Sequence, residues 1–102
     1  MNTLERLKLL NPERCKAFGH TIESMPVTFW STALAGEVGE LCNFIKKRER
    51  GDGDFKNAIA KEAADVVIYL DLLCTKLGID LCVSIRQKFN EVSDEVNSKI
   101  KF

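Results

Sequence analysis

From Val27 to Phe102 the chain contains no proline, and its apolar residues recur at steps of three, four and seven. A stretch with that period and no breaker is committed to amphipathic helices. Trp30, Leu34, Leu41, Phe44 and Ile45 draw one stripe from Val27 to about Glu49. The segment Arg50–Asp54, RGDGD, stops this helix and offers Asp54 as N-cap of the next. Phe55, Ile59, Val66, Leu70, Leu73 and Leu77 carry the period through a second long helix, which Gly78 closes in the position of a C-terminal cap. Asp80 then caps a third helix with Leu81, Ile85, Phe89, Val92 and Val96 on one face, and its tail NSKIKF is expected to fray. Upstream, Pro12 and Pro26 each suit a first helical turn, giving short helices over Thr3–Leu10 and Pro12–His20. No segment alternates with period two. The expected fold class is all-α, an antiparallel helical bundle.

At 102 residues the chain makes one domain, residues 1–102. Its 15 Lys and Arg balance 15 Asp and Glu, so it lacks the broad basic field of nucleic-acid or anionic-membrane binders, and neither partner is expected. The longest apolar run, Val66–Leu70, is far short of the ~20 residues that span a bilayer. The leucines of the first 18 residues are interleaved with charge rather than gathered into a secretory segment, which points to the cytoplasm. Cys15, Cys42, Cys74 and Cys82 form no CxxC pair, and a single histidine gives little help to zinc, so they read as reduced thiols, three of them buried.

The chemistry sits in two acidic pairs. Glu37 and Glu40 in AGEVGEL, and Glu62 and Asp65 in KEAADVV, are each three residues apart, which places both members of a pair on one helix face, the apolar one. An ionised carboxylate facing an apolar interior costs several kcal/mol unless a cation compensates it. Bound metal is the economical compensation, and hard oxygen ligands suit Mg²⁺ or Mn²⁺ better than zinc or copper. The bland alternative has the acids solvated at the edge of the stripe or paired with Lys46, Lys47, Lys61 or Lys88. Gly36 and Gly39, each costing ~1 kcal/mol in a helix interior, suggest the close approach of a backbone or ligand, or close packing alone.

An aromatic plate for base recognition is available from Phe29, Trp30 and Tyr69, with His20 and Asn43 behind them, although Trp30 lies on the core stripe. The helix-ending KKRER run at Lys46–Arg50 is either a solvated terminus or a phosphate contact.

GEVGEL followed by KEAADVVIYLDLL resembles the ExxE and ExxD signature of the MazG-like, all-α nucleoside triphosphate pyrophosphohydrolases, over about residues 27 to 98. The resemblance implies Mg²⁺-dependent hydrolysis of a nucleoside triphosphate to the monophosphate and pyrophosphate, on surplus or noncanonical nucleotides, with Glu37, Glu40, Glu62 and Asp65 as metal ligands. It also implies that Lys88 and Asn90 of KFN contact the nucleotide. Ser93 and Asp94 stand where many members carry a further Arg or Lys, so the phosphate-binding set is either incomplete or filled by Arg50 or a neighbouring subunit.

A di-iron bundle is the first rival, but it needs two Glu-x-x-His pairs and the chain has one histidine. The second is a noncatalytic helical oligomerisation or antitoxin-like module. Three long helices in so short a chain expose apolar residues on more than one face, so a homo-oligomer, dimer or tetramer, is expected under either reading.

Overall fold

A computed structural model describes all 102 residues, and they are all-helical. Helix α1 (Thr3–Cys15) runs into a 3₁₀ turn over Lys16–Phe18 that Gly19 ends in the left-handed region at φ 88°. Helix α2 (Val27–Glu49), α3 (Lys56–Lys76) and α4 (Leu81–Glu95) follow. No helix is long and apolar enough to cross a membrane.

The first 20 residues differ from the expectation of two short helices, because α1 continues through Pro12. Proline removes the N–H that would bond the carbonyl of Lys8. The turn is held instead by its neighbour Asn11, whose buried side chain donates to the Ile68 carbonyl at 3.2 Å and the Asp71 carboxylate at 2.8 Å, both on α3. Asn2 and Glu5 close the other end of α1 with a reciprocal capping box. Pro26 is the N-cap residue of α2 rather than its first helical residue.

Helices α2 and α3 make the principal pair, with Phe44 meeting Phe55 at 5.7 Å between ring centroids near the connecting loop. Helix α1 lies across α3. Phe55, not Asp54, is the boundary residue of α3 and takes φ 55°, while the Asp54 carboxylate still accepts from the Lys56 N–H at 3.3 Å. Gly78 closes α3 at φ 71°, and the Asp80 carboxylate caps α4 by accepting from the Val83 N–H at 3.2 Å. The same carboxylate takes an ion pair from Lys8 at 2.7 Å, fastening α1 to the start of α4.

The tail does not fray. The Ser98 and Asn97 N–H groups cap the carbonyls of Ser93 and Asp94, the Ser93 hydroxyl donates to the Ile100 carbonyl at 2.6 Å, and Lys101 pairs with Asp94. Phe102 returns to stack edge-on against Phe89 at 5.1 Å, under the Arg86 guanidinium. Short polar caps along α4 and the Phe102–Phe89 contact thus hold a tail that has no helical period of its own.

The core is small. Cys15, Ile22, Trp30 and Leu72 form it, with Met25, Ile68, Tyr69 and Leu73 packed around them. Only 8 of 102 residues are buried, and the radius of gyration is 16.1 Å, against about 13 Å for a compact chain of this length. Ile85, Phe89 and Val92 on α4, and Val96 at its C-cap, stay exposed. Of the cysteines, Cys15 and Cys74 are buried, Cys82 is half-buried and Cys42 exposed, so two rather than three lie in the interior, and all four are free thiols.

Candidate metal centre

Glu37 and Glu40 occupy consecutive turns of α2, and Glu62 faces them from α3. One oxygen from each of the three carboxylates lies within 4.8 Å of the others. Glu37 and Glu62 are half-buried, whereas Glu40 is exposed, so the four acids do not all point into the core. Asp65, one turn along α3, is half-buried and outside that trio. It remains close enough for its charge to disfavour ionisation of Glu37.

None of the ion pairs of the chain involves these acids. Lys88 pairs with Glu91 at 3.8 Å instead, and Lys46, Lys47 and Lys61 pair with no acid, which removes the lysine-compensated alternative within one chain. Oε2 of Glu37 and Oε2 of Glu62 are buried with no hydrogen-bond partner at all. Burial raises the Glu62 carboxyl to about 7, and the adjacent carboxylates of Glu37 and Glu40 add to the shift. Burial likewise raises Glu37, opposed by a hydrogen bond with Glu62 and reinforced by the charges of Asp65 and Glu40. Two orphaned oxygens beside a third carboxylate make an oxygen-only donor set that fits a hard divalent cation and has no cation of the chain paired with it.

The other expected contacts are placed differently. Asn90 spends its Oδ1 on the Phe102 N–H at 2.9 Å, and Arg50 is clamped to Asp52 through Nε at 2.8 Å and Nη2 at 2.5 Å. Both groups are therefore engaged locally. Trp30 is 1% exposed and donates its indole N–H to the Ile22 carbonyl at 3.2 Å, so it serves the core and offers only a wall to any ligand. Asn43 is exposed on α2. Gly36 and Gly39 meet no close backbone: a Cβ on either would find nothing within 4 Å, leaving an open strip on α2.

Tyr69, four residues beyond Asp65, links the acids to a pocket of about 50 Å³ walled by Phe18, His20, Phe29 and Trp30. Its hydroxyl pKa is raised by burial and then by the charges of Glu37 and Asp65. His20 was legible only as a possible base contact. Its partner, Cys15, carried no signal, because the 3₁₀ turn between them has no sequence period.

No protein-family model, curated protein or solved structure matches the chain.

Proposed function

We propose that this chain is a small MazG-like nucleotide pyrophosphohydrolase, cleaving a nucleoside triphosphate to the monophosphate and pyrophosphate with Mg²⁺, or Mn²⁺ in its place. The observation that carries this reading is the pair of buried, unpartnered oxygens of Glu37 and Glu62 beside the Glu40 carboxylate. Glu37, Glu40 and Glu62 would hold the metal, and Asp65 extends the set along α3. Bound there, the cation supplies charge neutralisation at phosphate oxygens and a polarised water. A carboxylate left free of metal would be the group to accept a proton from the attacking water. Phe29 and Tyr69 flank the pocket where a base would lie, with Tyr69 one turn of α3 from Asp65 and two from Glu62. No P-loop sequence is present to cradle a γ-phosphate for terminal transfer, which weakens the ATPase or GTPase alternative.

The reading requires assembly. A homo-oligomer, dimer or tetramer, of antiparallel bundles would cover the α4 stripe and the open glycine strip of α2, and would bring Lys88 of one copy toward the phosphates held by another. Phosphorus NMR of a reaction without added pyrophosphatase tests the chemistry, the expected products being monophosphate and pyrophosphate. A diphosphate and orthophosphate as primary products would overturn it.

The exposed apolar stripe of α4 also favours a second reading, a noncatalytic oligomerisation or antitoxin-like module. Mg²⁺ distinguishes the two, because a module without a metal site gains no thermal stability from it.

A further inference from the structure

The aromatic pocket contains a polar pair that the metal chemistry leaves unused. The Cys15 sulfur lies 3.4 Å from Nδ1 of His20. Cys15 is 4% exposed, and burial raises its thiol pKa, so it keeps its proton and has an S–H to offer Nδ1. A neutral imidazole has one donor and one acceptor nitrogen, so accepting at Nδ1 puts its proton on Nε2. No group of the protein takes that proton: His20 makes no other hydrogen bond. The ring is also held in place, edge-to-face with Phe29 at 5.3 Å and with Trp30 at 5.6 Å. The Trp30 N–H is already spent on Ile22, so it cannot compete for a ligand. Arg14, at the rim, has no ion pair.

We propose that Cys15 holds His20 as the Nε2–H tautomer, so that the pocket offers one fixed donor and takes a planar heterocycle whose edge carries a hydrogen-bond acceptor. Cys15 is then a positioning residue, and His20 the residue that discriminates among rings. The pocket as it stands has room only for water, and its outer wall is Phe18, largely exposed but stacked against His20 at 6.4 Å, so seating a ring requires Phe18 to turn away by a change of rotamer. A ring seated there lies beside Tyr69, one helical turn from Asp65, and in that respect alone the inference rests on the nucleotide reading.

The chain has one histidine and one tryptophan, so both reporters are unambiguous. In ¹⁵N spectra at pH 8, wild type should show His20 Nδ1 as the unprotonated nitrogen and Nε2 as the protonated one. Cys15→Ser should keep that pattern, and Cys15→Val should mix the tautomers. Cytidine, used without phosphate or Mg²⁺, should change Trp30 fluorescence saturably. A phenyl riboside, which keeps the ring and sugar but has no acceptor, should bind about tenfold more weakly, and Cys15→Val should weaken cytidine about fivefold, the loss of roughly one hydrogen bond. A wild-type His20 protonated at Nδ1 would overturn the proposal even if the valine variant failed to fold. So would equal binding of the two ribosides, unchanged affinity in a folded Cys15→Val, or no binding of cytidine. Failure of triphosphate hydrolysis would touch none of these readouts.

Discussion

At the scale of single residues, the acid cluster works against the fold that carries it. Glu62 has its carboxyl raised from 4.5 to about 7 by burial and neighbouring carboxylates, so between those values the folded chain binds more protons than the unfolded one. Metal-free stability should therefore fall as pH rises through roughly 4.5 to 7, and thermal melts in chelator across that range will show it. Glu37 shifts in the same direction and adds to the trend. Glu37→Gln and Glu62→Gln should flatten the pH dependence and raise the metal-free melting temperature at pH 8. Hydrolysis should drop by more than ~100-fold in each, beyond the 10- to 100-fold typical of outer-shell partners. Asn11→Ala acts the opposite way, leaving the buried Asp71 carboxylate without its donor at a cost of about 1–3 kcal/mol in urea unfolding. Of these residues the acids were legible in the sequence, because spacing by three puts their pairs on one helix face. Asn11 and Asp71 were not, since nothing local announces a hydrogen bond across 60 residues.

At the scale of elements, the polar end of α4 has become the lock of a folded-back tail. Removing residues 97–102 should speed amide exchange over the last turn of α4 about tenfold, through loss of the caps on Ser93 and Asp94, while the α2 and α3 amides stay protected. Unchanged exchange would mean that the tail contributes no order to the helix. The period of apolar residues made α2, α3 and α4 legible nearly to their ends, since Gly78 and Asp80 are local signals for local geometry. The tail was illegible for the complementary reason: Ser93, Asn90 and Phe102 lock through side-chain bonds to backbone groups that no period encodes. Pro12 misled as a helix start because its cost is met from α3, through Asn11.

At the scale of the whole molecule, a radius of gyration of 16.1 Å and eight buried residues describe a chain with much of its apolar surface uncovered. Sedimentation equilibrium should return a multiple of 11.5 kDa at micromolar concentration, and a stable monomer would remove the assembly from the proposed function. Mg²⁺ at a hundred times its dissociation constant should add about 2.7 kcal/mol, which for a chain this size raises the melting temperature on the order of 10 °C. The sparse attachment of α4 also bears on how the molecule is made. The α2–α3 pair closes over a short loop and needs only contacts near in sequence, so it should form within microseconds to milliseconds, independent of concentration. In the proposed assembly, covering the α4 stripe requires a collision between two chains. Refolding should therefore resolve into a fast unimolecular phase followed by one whose rate doubles when the protein is doubled, and in that interval the half-built species is the one exposed to proteases.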